Sequence, residues 1–99
     1  MNKETIEAVL KSHKDFLEGT DGGKRADFSN SDLSGSTFSG ANLAGVDFSN
    51  SDLRGSTFLR PDLRRANFSN SDLRGSTFSC TDLRDTDFSK LDLSDAVIS

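Results

Sequence analysis

The sequence predicts an all-β solenoid, a quadrilateral parallel β-helix of about four coils with an N-terminal α-helical cap. Three observations predict this fold. A large apolar residue occupies every fifth position from residue 28 to residue 98. Three blocks, 28–38, 48–58 and 68–78, match almost letter for letter at an offset of twenty residues. A single amphipathic segment precedes the repeats.

Residues 1–23 are predicted to form an amphipathic capping helix and an elbow, ahead of a repeat domain over residues 24–99. Asn2 or Thr5 is suited to the N-cap, and Gly19 to the position just past the last turn. We interpret His13 as a packing residue rather than a catalytic or metal-binding one, because the chain has no second His. A lone helix must bury its apolar stripe against the repeats. The stripe has helical spacing and comprises Ile6, Val9, Leu10, His13, Phe16 and Leu17.

The five-residue spacing excludes the ordinary secondary structures over residues 24–99. On an α-helix each step of five residues turns by about 500°, so the apolar residues would spread around the whole surface. On a flat strand an odd spacing sends alternate residues to opposite faces. Each unit therefore needs a bend that returns its apolar residue to a common core. The offset of twenty residues makes four units one coil, and the coils stack about 4.8 Å apart.

Each position of the unit has a predicted role. The central Phe or Leu points inward and stacks on its equivalent one coil away. The residue two positions earlier also points inward and must be small, so a Ser there must bond to a backbone carbonyl or another hydroxyl. Glycines and asparagines such as Gly45 and Asn50 suit the corners, where a positive φ is needed. The predicted core stack comprises Phe28, Leu33, Phe38, Leu43, Phe48, Leu53, Phe58, Leu63, Phe68, Leu73, Phe78, Leu83, Phe88, Leu93 and Ile98.

The unit Ser/Ala–Asp/Asn–Leu/Phe–x–x resembles the pentapeptide repeat family, whose pattern is usually written A(D/N)LXX. The match covers about three quarters of the chain and repeats fifteen times. The runs HKDFL at 13–17 and GGKRADF at 22–28 are similar to the helical entry common in front of such repeats. The resemblance implies a right-handed β-helix. The chain departs from the pattern by using many Ser where the family favours Ala.

Charge and cysteine content narrow the classes of function. The formal net charge is −4, with about −1 over residues 1–24 and −3 over 25–99. Neither part has the basic footprint of a nucleic-acid-binding protein. The single cysteine, Cys80, excludes an internal disulfide and is interpreted as an inert surface residue. No signal peptide or membrane-spanning run is recognisable, so we expect no membrane association and a cytoplasmic location.

The outward columns are where function would have to lie. Three interpretations compete for their stacked acids: ladders of Asp and Arg that solvate and align the coils, paired-carboxylate catalysis, or a metal ladder. We favour the ladders, because the acids lie on an exposed wall beside arginines. We therefore expect no catalytic residue, metal, cofactor or small-molecule substrate. The candidate interaction surface comprises Asp32, Asp52, Asp72, Asp92, Arg54, Arg74, Arg64 and Arg84.

Leu91, Val97 and Ile98 leave an apolar end at the last coil, and we expect a homodimer through it. Pro61 lacks an N–H, which predicts a bulge near residues 59–62.

The preferred function is a non-enzymatic scaffold that binds an unknown protein partner. The alternative, which the resemblance implies, is a DNA-mimicking regulator of DNA gyrase of the quinolone-resistance type. It ranks second, because arginines dilute the acids and the predicted rod is short.

Overall fold

The computed structural model describes residues 2–39, 42–59, 62–79, 86, 88 and 91–98. One helix and four short strands are assigned within these ranges, and the strands form a single parallel sheet in the order β1-β2-β3-β4. In chain order the elements are α1 (Lys3–Glu18), β1 (Thr37–Ser39), β2 (Thr57–Leu59), β3 (Thr77–Ser79) and β4 (Val97–Ile98).

Helix α1 begins and ends where its capping residues predict. The Asn2 side chain accepts a hydrogen bond from the Thr5 N–H at 2.8 Å, so Asn2 is the N-cap. Gly19 ends the helix at φ 74°, in the left-handed region. Ile6 is buried, and Val9 and Leu10 are half-buried against the core. The first half of the apolar stripe therefore packs on the repeats.

The second half of the stripe differs from the expectation. Phe16 and Leu17 are 40% and 41% exposed. His13, one turn earlier, is fully buried. The helical spacing specifies which side chains share a face of α1. How much of that face the first coil covers depends on the size of the coil, and Phe16 and Leu17 extend past it.

Every described backbone pairing between coils has a register of twenty residues. Phe38 pairs with Phe58, and Phe58 with Phe78, in the sheet. Isolated parallel bridges on the other sides join residues 27, 47 and 67, residues 32, 52 and 72, and residues 42 and 62. The predicted parallel β-helix with one N-terminal helix is confirmed. The coil number and the right-handed sense stay predictions.

One side of the coil is extended, whereas the other sides turn sharply. The strands contain Thr37, Thr57 and Thr77 at the position that Asp or Asn occupies elsewhere, and Thr favours extended backbone. On the other sides, the second residue after the apolar one has a positive φ. Gly supplies it at several corners, and the non-glycine examples are Asn30, Asn50, Arg65, Asn70 and Asp95.

The core is made of stacked columns of Phe and Leu. Along one column the ring centroids of Phe28 and Phe48 are 5.5 Å apart and those of Phe48 and Phe68 are 5.0 Å apart. A second column stacks Phe38, Phe58 and Phe78 and meets the first edge to face. Each fully buried Phe contributes about 1.5–3 kcal/mol. The Phe and Leu residues that are at most 1% exposed are Phe28, Leu33, Phe38, Leu43, Phe48, Leu53, Phe58, Leu63, Phe68, Leu73 and Phe78.

The buried serines bond to backbone carbonyls, as predicted. The Ser56 hydroxyl donates to the Leu33 carbonyl of the preceding coil at 2.9 Å. Ser71 and Ser76 donate to the carbonyls of Phe68 and Leu73, each at 2.7 Å. These bonds explain how a core position that usually holds Ala accepts a hydroxyl.

The described core residues of the last coil are less buried than those of the coils before it. Phe88 and Leu93 are only partly buried, and Leu83 lies outside the described residues. Ile98 departs from the predicted core stack, because it pairs in register with Phe78 yet is 49% exposed. Its side chain has a described stacking neighbour on one side only, so about half of its surface stays in water.

Candidate interaction surface

Each described outward Asp or Asn side chain closes the backbone turn in which it lies. In each case a side-chain oxygen accepts the backbone N–H two residues later, at 2.8–3.2 Å, which is an Asx turn. This bond explains why the position before the apolar residue is so often Asp or Asn. The acceptors are Asp27, Asp32, Asn42, Asp47, Asp52, Asp62, Asn67, Asp72 and Asp92.

Three of these acids also bind an arginine through two points of contact. Arg54 Nε lies 2.8 Å from Asp52 Oδ1, and Arg54 Nη2 lies 2.6 Å from Asp52 Oδ2. The pair Arg64–Asp62 has the same geometry, at 2.9 and 2.7 Å. So does Arg74–Asp72, at 2.9 and 2.6 Å. Two-point contact fixes the plane of each guanidinium relative to the wall of the β-helix.

The pairs on one side are linked between coils. Arg54 Nε lies 3.9 Å from Asp72 Oδ2, one coil further on. At the two ends of this column, Asp32 and Asp92 accept hydrogen bonds from the hydroxyls of Ser34 and Ser94 instead. The structure therefore brings the predicted column together as an alternating ladder of acids and arginines. Exposed pairs of this kind contribute little to stability, so their regular placement is the more informative property.

The acids of this column are held in their charged form. Hydrogen bonds from Arg54 and Arg74 lower the pKa of Asp52 and Asp72 below the usual range. Hydrogen bonds from Ser34 and Ser94 lower the pKa of Asp32 and Asp92. A general acid at neutral pH needs a raised pKa, so none of these four carboxyls is suited to that role.

Metal binding was the other alternative for the stacked acids. Within the described ranges, no three His, Cys, Asp or Glu side chains come close enough together to hold a metal ion. Arg84, Cys80 and the bulge predicted near Pro61 involve residues outside the described ones.

His13 occupies a buried position between α1 and the first coil. Its Nδ1 accepts a hydrogen bond from the Ala26 N–H at 3.0 Å. Its Nε2 is buried and has no hydrogen-bond partner among the described residues. Burial lowers the pKa of His13, so the ring is neutral at physiological pH. This geometry is that of a residue that docks the helix onto the repeats.

A groove at the end of α1 did not emerge from the sequence. It is lined by Phe16, Leu17, Arg25, Gly45 and Arg65, among others, and has a volume of about 530 Å³. Two signals in the sequence point to it in retrospect. Arg25 and Arg65 are forty residues apart, which is the spacing of two coils, and the helix stripe ends with two large apolar residues.

The predicted dimer end is exposed and apolar. Val97 and Ile98 are 57% and 49% exposed, and Leu91 is half-buried against the core. Strand β4 pairs only with β3 among the described strands.

Of the described helical residues, no stretch is both long and apolar enough for a membrane-spanning helix.

Comparisons with solved structures identify other pentapeptide repeat proteins. The chain is similar to the pentapeptide repeat protein Rfr23 of the cyanobacterium Cyanothece 51142, with 21% identity and a TM-score of 0.44, over 76% of this chain and 58% of that one. It is also similar to the pentapeptide repeat protein alr5209 of Nostoc, with 22% identity and a TM-score of 0.40, over 92% of this chain and 75% of that one. QnrB1, a plasmid-mediated fluoroquinolone resistance protein, matches with 19% identity and a TM-score of 0.42, over 74% of this chain.

This chain spans only 38% of the QnrB1 chain and 58% of Rfr23. No curated protein matches it. The family model for the pentapeptide repeat region matches residues 24–88, well over half of the sequence. The parallel coils, the register of twenty residues and this match agree, and the chain belongs to the pentapeptide repeat family.

Proposed function

We propose that this protein is a non-enzymatic scaffold that binds another protein through the outer surface of its β-helix. The observation that carries the proposal is the ladder of Asp–Arg pairs, in which Asp52–Arg54 and Asp72–Arg74 repeat with fixed geometry on one side. A surface that is ordered before binding loses little conformational entropy on association. The interior is filled by Phe and Leu side chains, so recognition must use the outer wall.

A capture experiment tests this proposal. The tagged protein is used to retain proteins from a lysate of its native cell, beside an Arg54→Ser, Arg74→Ser variant. Serine preserves the turn, because Ser34 and Ser94 occupy equivalent positions of the same column. We expect the wild-type protein to retain one partner reproducibly and the variant to lose it.

The matched control is Lys11→Ala on α1, which also removes an exposed cation that pairs with an acid, Asp15 at 3.4 Å, and which lies in neither the ladder nor the groove at the end of α1. The control should retain the partner. If the wild-type protein retains nothing above an unrelated tagged protein, the scaffold proposal is wrong. Equal retention by the Ser variant would exclude the ladder as the binding surface.

The DNA-mimic alternative is tested separately by a supercoiling assay with purified gyrase. Asp52, Asp62 and Asp72 are each paired with an arginine, which reduces the negative field that a mimic of DNA needs. We therefore expect neither inhibition nor protection of gyrase at micromolar protein. Either effect would favour the alternative over the scaffold. The cytoplasmic location stays a prediction.

The proposal includes a homodimer that pairs through the end formed by Leu91, Val97 and Ile98. The exposure of Val97 and Ile98, together with the free edge of β4 among the described strands, supports it. Light scattering should give twice the chain mass for the wild-type protein and the chain mass for Val97→Asp, Ile98→Asp. Leu59→Asp, also at an exposed apolar position, is the control and should stay dimeric. A wild-type monomer, or an unchanged mass in the double variant, would exclude this interface.

A further inference from the structure

The groove at the junction of α1 and the β-helix combines apolar side chains with positive charge. The end of α1 contributes Phe16 and Leu17, and the corners of successive coils contribute Arg25, Gly45 and Arg65. Its volume of about 530 Å³ lies within the range of protein sites that hold small ligands or side chains. The groove contains neither Arg54 nor Arg74 of the ladder, and Arg64, which pairs with Asp62 on a different side, also lines it.

The two arginines flank a gap that Gly45 leaves open. Gly45 and Arg65 occupy the same positive-φ corner of successive coils, and Arg25 lies two residues before Asp27, which pairs with Asp47 in the same register. With coils about 4.8 Å apart, the backbones of Arg25 and Arg65 are roughly 10 Å apart. Gly45, at φ 74°, places no side chain between them. Arg25 Nε lies 4.0 Å from where a Cβ at Gly45 would stand, so the Arg25 side chain reaches over Gly45 and places its cation between its own coil and that of Arg65.

Arg25 is held in place, and neither arginine forms an ion pair within the described ranges, while Asp27 and Asp47 line the adjoining depression beside both of them. The Arg25 guanidinium carbon lies 5.5 Å from the centre of the Phe16 ring, a cation–π contact. Arg54 and Arg74 bind acids in two-point contacts. In contrast, neither Arg25 nor Arg65 forms an ion pair with any residue in the described ranges. In a chain of net charge −4, this local positive charge attracts anions.

The apolar part of the groove sets a second requirement. Phe16 and Leu17 are 40% and 41% exposed and lie side by side in sequence at the rim. A simple inorganic anion would satisfy the arginines and leave this apolar surface in water. A ligand that fits the whole groove must carry an anionic group and a large apolar group close together.

We propose that this groove binds an acidic peptide segment of a partner protein, with a large apolar side chain next to a carboxylate. The carboxylate lies between Arg25 and Arg65, and the apolar side chain covers Phe16 and Leu17. The inference rests on the proposed function as a protein-binding scaffold, and it names a second contact surface and the chemistry of its occupant.

Fluorescence anisotropy with a dye-labelled peptide tests the proposal. The probe is Gly-Asp-Leu-Asp-Gly with blocked ends, compared with the same peptide carrying Ser in place of Leu. We expect saturable binding of the Leu peptide and at least about tenfold weaker binding of the Ser peptide. Binding should weaken as the salt concentration rises, because the arginines are exposed.

A double variant, Arg25→Gln with Arg65→Asn, identifies the cations. Asn is chosen at position 65 because Asn50 and Asn70 have a positive φ at equivalent corners, so the backbone needs no change. The variant should bind the Leu peptide at least about tenfold more weakly. The matched control, Arg54→Ser, removes one arginine from the ladder and should bind like the wild-type protein. Circular dichroism checks that both variants are folded.

Three results would overturn the inference. They are no saturable binding at millimolar peptide, unchanged affinity in the double variant, and full displacement of the peptide by an equal concentration of inorganic phosphate. The last would indicate a simple anion site. The capture experiment with native lysate is repeated with the double variant. It distinguishes a failure of the groove as a binding site from a failure of the scaffold proposal. A partner that is still retained excludes the groove and leaves the scaffold standing, whereas no partner for the wild-type protein removes the scaffold itself.

Discussion

Asp52 shows how one residue serves both the fold and the surface. Its Oδ1 accepts the Arg54 N–H at 3.1 Å and so closes the turn. The same carboxylate binds the Arg54 guanidinium on the outside. Asn67 closes its own turn with a neutral side chain, so the turn needs only the oxygen and the ladder needs the charge.

Two substitutions at Asp52 separate these roles. Asp52→Asn keeps the turn and removes the charge, and we expect only a small loss of stability at pH 7, because exposed ion pairs contribute little. Asp52→Ala removes both, and should cost about 1 kcal/mol more, the net value of a hydrogen bond. Urea unfolding of both variants at pH 7 measures the difference. Equal losses would show that the Asx turn contributes nothing.

The pH dependence of stability follows from the lowered pKa of Asp52. Because the folded-state pKa lies below the unfolded value of about 3.9, the stabilisation is complete above that value and is lost as the pH falls through the folded pKa. The free energy of unfolding of the wild-type protein should therefore fall more steeply than that of Asp52→Asn between about pH 5 and pH 2, the range that spans the folded and unfolded pKa of Asp52. Urea midpoints across this range measure it, and parallel curves would contradict the assignment.

At the scale of elements, the sequence predicts α1 and the side of the β-helix to which each residue belongs. The spacing of five specifies the inward residues, because only a bend in every unit returns them to one core. The groove between α1 and the corners could not be predicted. It depends on where α1 ends relative to the first coil, and that position is set by close packing of Gly23 on the helix backbone.

Gly23 should therefore control the docking of α1. A Cβ at Gly23 would lie 2.2 Å from the Phe16 nitrogen and 2.5 Å from the Asp15 carbonyl carbon, which real contacts do not allow. Gly23→Ala must displace the helix, at a cost of about 1–3 kcal/mol. The readout is amide exchange at Ala26, whose N–H donates to His13 Nδ1 across the junction. We expect it to become much faster.

Gly19→Ala is the matched control. Gly19 has φ 74° and no atom within 4 Å of an added Cβ, so its substitution introduces backbone strain of about 1–2 kcal/mol without a clash. It should destabilise the end of α1 and leave the Ala26 amide protected. If both variants expose Ala26 equally, close packing at Gly23 does not position the helix.

At the scale of the whole molecule, the repeat predicts which side chains form the core. It does not predict that the core side chains become more exposed from Phe58 to Ile98. Phe58 and Phe88 have the same role in the sequence, yet Phe58 is fully buried and Phe88 only partly. Ile98, at the same position of its unit, is about half exposed. In a stacked repeat each coil is stabilised only by its neighbours, so a position near one end has fewer contacts than an identical one in the middle. The periodicity carries no information on this difference.

The gradient predicts unequal effects of the same truncation. Phe58 stacks on Phe38 at 5.0 Å and on Phe78 at 4.7 Å, so Phe58→Ala removes a ring between two neighbours and should cost about 3–5 kcal/mol. Phe88 has a described stacking neighbour only in Phe68, at 5.6 Å, and Phe88→Ala should cost clearly less. Urea unfolding measures both.

Hydrogen exchange should show the same order, with the amides of β4 opening before those of β2, since local opening is easiest where few buried contacts resist it. Equal losses would mean that the coils unfold as one unit, and in that case the exposed end formed by Val97 and Ile98 would be as stable as the centre.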